Sequence, residues 1–344
     1  MWMMQIRSRS FVSLLFGLAA CGTSTEGSEL DAEHVKQHGR ILVNRHDASS
    51  ARASIAVVRA DGTSDQVLTD DGLSPSWTPD GRILFASSRS GSQQIWIMDG
   101  DGNNARQLTD LAEDVLPVMP QLGRNGVIVF SGRDEQTEPD SNTGIWIIDE
   151  DGTGLRKLTR GMQPFLAQSG TWIAFTLQTD EPYHRQIWRM NIDGTGLEQL
   201  TFLGDSDYPD ANAPAISPDE QTVAFFSGKE SARAVPGAPP ESIFEWGYRN
   251  VALVPADGGP RTTITPCRPV RTMEQLQATS PETGNCVAAD NPAWSPDGRW
   301  LVFDVGFYSG TETWLVDADG DGFQRLLAEG RGVSRVPVRY AEKL

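Results

Sequence analysis

One unit recurs six times along this chain, and no other feature limits its fold as tightly. Each copy contains an apolar stretch that runs into an Asp-Gly turn: IAVVRADG at 55–62, IWIMDGDG at 95–102, IWIIDEDG at 145–152, IWRMNIDG at 187–194, VALVPADG at 251–258 and TWLVDADG at 313–320. Seven residues after the Asp of each turn stands an apolar residue: Leu68, Leu108, Leu158, Leu200, Ile264 or Leu326. Thr follows it in five copies, and Leu327 in the sixth. A constant offset across a turn means a fixed hairpin, and Asp-Gly supplies the positive φ angles that a tight β-turn needs.

A second piece flanks the first. Its fullest copies are PSWTPDG at 75–81 and PAWSPDG at 292–298, with weaker ones starting at Pro117, Pro164 and Pro214. The strands that follow (ILFAS, VIVFS, IAFTL, VAFFS and LVFDV) place Phe85, Phe130, Phe175, Phe225 and Phe303 at one equivalent position. Each unit therefore holds four short strands, which we call A (Pro-x-Trp), B (the Phe strand), C (the Trp strand) and D (the Leu-Thr strand). Four-stranded units repeating at this period are propeller blades. The predicted fold is all-β: a six-bladed β-propeller of four-stranded antiparallel blades over residues 39–344. Blade 1 opens at Arg40 on strand B, with no strand A before it. Residues 334–340, with Val336-Pro337-Val338-Arg339-Tyr340, read as a strand A with nothing after it. The expectation is that this strand pairs into blade 1 and closes the ring, removing sheet edges that would otherwise aggregate.

The motifs P-x-W-S-P-D-G, I-x-F-x-S, I-W-x-M-D-x-D-G and L-T resemble the PD40 (WD40-like) repeats of TolB-like propellers, and the resemblance covers about 39–344. It implies the fold across all six copies. It implies less about role, because one fold hosts many functions. TolB itself carries an N-terminal α/β domain, which the segment before residue 39 does not supply, and is soluble in the periplasm. The repeat family is therefore expected here, and not the TolB role.

The first 20 residues are of a different character. Arg7 and Arg9 precede an apolar run from Phe11 to Ala20 that is too short to span a bilayer as a stable helix. The run ends Leu18-Ala19-Ala20-Cys21, which resembles a bacterial lipobox, in which the Cys21 thiol would be lipidated. The competing reading is an ordinary signal peptide. Residues 21–38 are small, polar and acidic and read as a flexible tether. Export would place the chain in the bacterial cell envelope, lipid-anchored to a membrane, where disulfides are permitted. Cys267 and Cys286 are the two remaining cysteines. A bridge between them would add about 3 kcal/mol on a chain-entropy estimate; two free thiols are the alternative.

A net charge of −17 argues against nucleic acid as a partner, since phosphate recognition wants a basic face. The strand order within a blade puts the A–B and C–D turns on one face of the disc and the B–C and D–A connections on the other. Every insertion falls in the second class: 132–144, 178–186, 202–213, 228–250 and 266–291. Loops on a rigid scaffold usually carry function, so this loop face is the candidate binding surface. It collects Trp246, Tyr183, Tyr208, Tyr248, Tyr308 and Phe307, of the aromatic types enriched at binding hot spots. The same residues would also serve to pack long loops onto the blades. Arg133, His184 and Arg185 could meet an acidic partner there, or remain solvated charges, and Asp207 lies in an acidic stretch with Asp205 and Asp210.

Catalytic signatures are few. A propeller-bearing serine hydrolase needs a G-x-S-x-G elbow on a separate domain; no such motif occurs, and the repeats occupy the chain. A metal-dependent sugar lyase wants clustered histidines, and of His34, His38, His46 and His184 only the last falls on the loop face. Asp317, Asp319 and Asp321 begin like a calcium loop, but position twelve is Ala328, and the stretch coincides with a C–D hairpin. The expected function is a non-enzymatic envelope lipoprotein that binds a protein or peptide as a monomer, without cofactor. The alternative is a propeller that binds or cleaves carbohydrate.

Overall fold

A computed structural model describes residues 40–46, 53–59, 65–113, 115–133, 143–178, 184–202, 210–228, 249–265, 267, 288–295, 297–307, 310–320 and 324–327. Six antiparallel sheets form a six-bladed β-propeller. Blade 1 contributes β1 (Arg40–His46), β2 (Ala53–Arg59) and β3 (Asp65–Thr69). Blade 2 holds β4 (Leu73–Trp77), β5 (Ile83–Ser87), β6 (Gln94–Met98) and β7 (Arg106–Gln107). Blade 3 holds β8 (Val118–Leu122), β9 (Val127–Arg133), β10 (Thr143–Asp149) and β11 (Arg156–Arg160). Blade 4 holds β12 (Met162–Leu166), β13 (Trp172–Gln178), β14 (Arg185–Asn191) and β15 (Glu198–Gln199). Blade 5 holds β16 (Asp210–Ile216), β17 (Thr222–Gly228), β18 (Arg249–Pro255) and β19 (Thr262–Thr263). Blade 6 holds β20 (Ala288–Trp294), β21 (Trp300–Phe307), β22 (Gly310–Asp317) and β23 (Gln324–Leu327). Within each blade the strands pair in chain order, and one parallel pair, Arg249 with Ala288, joins the sheets of blades 5 and 6. The A strands β4, β8, β12, β16 and β20 touch one another around the ring and so lie innermost. Segment 334–340 lies outside the described residues.

The repeated phenylalanines are the reason the blades stack. Phe85, Phe130, Phe175, Phe225 and Phe303 are each 0% exposed, and Val43 takes their place in blade 1. They sit between successive sheets, where both faces of a strand are covered, which explains the near-continuous apolar runs of the B strands. The Leu that follows the hairpin in blades 1 to 4 packs beside them: Leu68, Leu108 and Leu158 line the clusters of blades 2, 3 and 4, and Leu200 is fully buried.

The C–D hairpins differ in detail from a tight two-residue turn. Of the Asp-Gly pair only the Gly has a positive φ: Gly102, Gly152, Gly194, Gly258 and Gly320 lie between +87° and +96°, and a second positive φ follows at Asn104, Gly154, Gly196 and Gly259. The Asp keeps a negative φ and works through its side chain. Asp151 accepts the amide and hydroxyl of Thr153 at 2.9 and 2.7 Å, and Asp193 does the same for Thr195 at 2.8 and 2.7 Å. The hydrogen bonds from Thr153 and Thr195 hold both carboxyls below their ordinary range.

The sequence also carries an inner-ring feature that its motifs do not announce. The residue before each strand-A proline is left-handed: Ser74, Met119, Gln163, Ala213 and Asn291 have φ between +49° and +56°, and the register makes Pro120, not Pro117, the strand-A proline of blade 3. A β-bulge falls at each of these positions. Bulged backbone amides need partners, and neighbouring blades supply them. Asn44 of blade 1 accepts the amide of Ser74 at 2.8 Å, Ser131 of blade 3 accepts that of Gln163 at 2.9 Å, and Gln163 accepts that of Ala213 at 3.1 Å. Carbonyls are met in the same way: Ser76 donates to Pro120 O at 2.6 Å and Gln121 to Pro164 O at 2.9 Å.

Candidate binding face

Two faces of the disc differ in kind. The A–B turns (78–82, 123–126, 167–171, 217–221, 295–299) and C–D turns (99–105, 150–155, 192–197, 256–261, 318–323) are short and alike. Hydrogen bonds knit this short-turn face together. Arg82 pairs with Glu150 of the next blade at 2.9 Å, Arg156 donates to Ile192 O at 3.1 Å, and Glu220 accepts the Trp172 indole at 2.8 Å. Arg40, the first residue of β1, lies here too: it donates to Gly100 O at 2.6 Å and stacks on Trp77 at 4.9 Å. The chain therefore enters the propeller from the short-turn face. The opposite face carries connections of very unequal length, among them 134–142, 200–209, 229–248 and 264–287.

A clasp holds the loop-face ends in blades 2, 4 and 5. The Thr after the conserved Leu reaches the side-chain amide at the start of strand C. Thr109 donates to Gln94 at 2.9 Å, Thr201 to Gln186 at 2.8 Å and Thr265 to Asn250 at 2.9 Å. Each Thr oxygen also accepts the next strand-C amide, from Ile95, Ile187 or Val251, at 2.9 Å. All six clasp side chains are buried. The loop-face connections therefore emerge from a tied rim.

Of the expected binding residues, His184 and Arg185 are described and come together with Asp210. His184 stands at the entry to β14 and Asp210 at the start of β16 in the next blade. The Arg185 amide donates to the Asp210 carboxylate at 3.1 Å, and His184 Nδ1 lies 3.7 Å from it. Asp210 is buried, whereas His184 and Arg185 are half-buried. The Arg185 backbone and the His184 ring thus meet Asp210 across the seam between blades 4 and 5. Two residues continue the polar seam along β16 and β12: buried Asn212, whose amide nitrogen has no hydrogen-bond partner among the described residues, and half-buried Gln163. Asn212 was missed by sequence reasoning because it occupies an ordinary strand-A position.

Arg133 ends β9, and Phe307 ends β21, paired in register with Gly310; only their backbones are described. Tyr183, Asp207, Tyr208, Trp246, Tyr248, Tyr308, Asp205, Cys21 and Cys286 lie outside the described residues, as does Asp321. Cys267 is disulfide-bonded and 4% exposed, and its carbonyl accepts from Asn250 at 3.1 Å. The stretch from Asp317 forms the C–D turn of blade 6, with the Gly320 amide donating to Asp317 O at 2.8 Å. Among the described residues, no three His, Cys, Asp or Glu side chains converge as a metal site, and no helix is long and apolar enough to cross a membrane.

No family model matches the chain, and no curated protein matches it by sequence. Solved structures match it by shape. TolB from Acinetobacter baumannii aligns with a TM-score of 0.63 at 18% identity, over 88% of this chain and 67% of that one. A putative TolB from Agrobacterium tumefaciens gives 0.56 at 17% identity, over 84% and 88%. An oligogalacturonate lyase in complex with manganese gives 0.53 at 11% identity, over 85% and 74%. The protein thus has the fold of a TolB-like six-bladed β-propeller. At these identities the likeness establishes the fold alone.

Proposed function

We propose that this protein is a binding scaffold of the bacterial envelope, tethered by a lipid on Cys21 and engaging a protein or peptide through its loop face without catalysing a reaction. The observation that carries the reading is the asymmetry of the disc: uniform, cross-linked turns on one face, and every long connection on the other. The rim beneath those connections is tied by the Thr-amide clasps, which is the arrangement a rigid scaffold with variable recognition loops requires. The entry of the chain at Arg40 supports the same reading. A tether attached to the short-turn face leaves the loop face unobstructed and directed away from the membrane. The aromatic residues of the loops supply the anchors, with Trp246 and Tyr248 foremost.

The experiment is capture of envelope proteins on the soluble body (residues 22–344), with identification by mass spectrometry. It is run beside a Trp246→Ala/Tyr248→Ala variant and a short-turn control, Asp151→Ala. A protein held by the wild type and the control but lost with the double variant supports the proposal. Retention on polysaccharide with no protein partner would overturn it in favour of a glycan-directed propeller, the role that the lyase-like shape allows.

A further inference from the structure

The chain contains one Asn-Gly pair, Asn125-Gly126, and it closes the A–B turn of blade 3 between β8 and β9. Asparagine is a thermolabile residue. A following glycine exposes it further, because no side chain hinders the glycine nitrogen from reaching the asparagine side-chain carbonyl. Asn125 is exposed, and Gly126 lies at φ +78° with nothing within 4 Å of a Cβ placed on it.

The other blades show what Asn125 replaces. The equivalent position is Asp80, Asp219 or Asp297 in blades 2, 5 and 6, and Ser169 in blade 4. Asp219 and Asp297 each accept the hydroxyl of the serine two residues back, Ser217 or Ser295. They also accept the amide two residues on, that of Gln221 or Arg299, at 3.1 Å. In blade 3 the residue two back is Gly123, which has no hydroxyl to offer. Asn125 keeps the second bond, its Oδ1 accepting the Val127 amide at 3.2 Å. Its Nδ2 donates across the seam to Gly170 O of blade 4 at 3.0 Å. With the bond from Arg156 to Ile192 O, this contact ties blade 3 to blade 4 on the short-turn face.

We infer that Asn125 is a site of spontaneous deamidation in the folded protein, and that the reaction releases this seam. Base takes the Gly126 amide proton, and the nitrogen attacks Asn125 Cγ. The new N–Cγ bond closes a succinimide ring, the Cγ–Nδ2 bond breaks, and ammonia leaves with a proton. Water then opens the ring at either carbonyl, giving aspartate or isoaspartate at position 125. In the closed turn the Gly126 amide donates to Gly123 O at 3.1 Å, and both arms of the Asn125 amide are bonded. The reaction therefore waits on local opening of the turn and runs more slowly than in the unfolded chain. Either product lacks the Nδ2 donor. Aspartate keeps an acceptor for Val127, as in blades 5 and 6, but sets a carboxylate against Gly170 O. Isoaspartate also lengthens the main chain by a methylene and breaks the turn. The release is one-way and does not depend on what the loop face binds.

The test holds the full chain in mildly alkaline buffer, native and in guanidinium. It is followed by intact mass and by peptide mapping that separates isoaspartate from aspartate. Asn125 should be the first asparagine to convert in both samples, more slowly in the native one. The melting temperature of the native sample should fall with the converted fraction. Asn125→Asp should melt below fresh wild type from the start. Asn125→Ser, which has no amide to lose, should hold its melting temperature through the same ageing. Native protein whose Asn125 stays intact over many lifetimes of the denatured sample, or converts after another asparagine, would overturn the site. Equal melting temperatures for Asn125→Asp and fresh wild type would overturn the release of the seam.

Discussion

The hydroxyl of Thr109 donates to the Gln94 side-chain carbonyl at 2.9 Å while its oxygen accepts the Ile95 amide at 2.9 Å. The same Gln94 also accepts the Leu111 amide at 2.8 Å and donates to the Leu111 carbonyl at 2.9 Å. One buried side-chain pair thus ties the end of strand D, the start of strand C and the first turn of the loop-face connection. Replacing Thr109 with Val keeps the shape and removes both hydroxyl bonds, leaving a buried amide and a buried carbonyl short of a partner. The expected cost is about 1–3 kcal/mol. Urea denaturation would show it as a lower midpoint at unchanged m-value; a shift within about 0.5 kcal/mol would mean the clasp is incidental.

Two glycines should respond differently to an added methyl group. Gly161 links β11 to β12 at φ +139°, and a Cβ there would meet Phe175 Cδ2 at 2.8 Å and Thr176 O at 3.0 Å. Gly81, at φ +84°, has nothing within 4 Å. Gly81→Ala is expected to cost about 1–2 kcal/mol from the left-handed backbone alone. Gly161→Ala should cost more, since the fully buried Phe175 must also shift. Equal melting temperatures for the two variants would contradict this ordering.

Acid should loosen the short-turn face first. The Ser217 hydroxyl and the Gln221 amide hold Asp219 below its ordinary value of 3.8, and the Thr153 bonds do the same for Asp151. A carboxyl depressed in the folded state adds stability that is complete above its unfolded value and disappears as pH falls through the folded one. The contribution is therefore present at neutral pH and lost below about pH 4. Asp219→Asn and Asp151→Asn should lower the melting temperature at pH 7 and flatten its fall between about pH 5 and about pH 3. An unchanged acid limb would show that these turns do not govern acid unfolding.

Much of the blade was legible in the sequence, because it rests on local patterning. The Phe position, the constant Leu offset and the Asp-Gly turns all act within one repeat and recur with it. The inner ring was not legible. Ser74, Met119, Gln163, Ala213 and Asn291 share a backbone conformation but no side-chain chemistry, so only the following proline marks the place. Their partners stand in other blades, as Asn44 does for Ser74 and Gln163 does for Ala213, and spacing alone does not announce such pairs. The clasp was half visible: the Thr recurred in the motif, whereas its partner varies between Gln94, Gln186 and Asn250. At the loop face, the contact of Asp210 with the Arg185 amide and the His184 ring joins two blades, and spacing along the chain does not announce it. Trp246 and Tyr248 lie outside the described residues and remain assigned by their position in the repeat.

The central claim is that recognition belongs to the loop face. Hydrogen–deuterium exchange of the protein with and without its captured partner tests it most directly. Added protection is predicted in 179–186, 203–209, 229–248 and 264–287, with the turns at 99–105, 150–155 and 192–197 unchanged. Protection confined to those turns, or to the outer strands β7, β11 and β15, would contradict the account and move recognition to the opposite face or the rim.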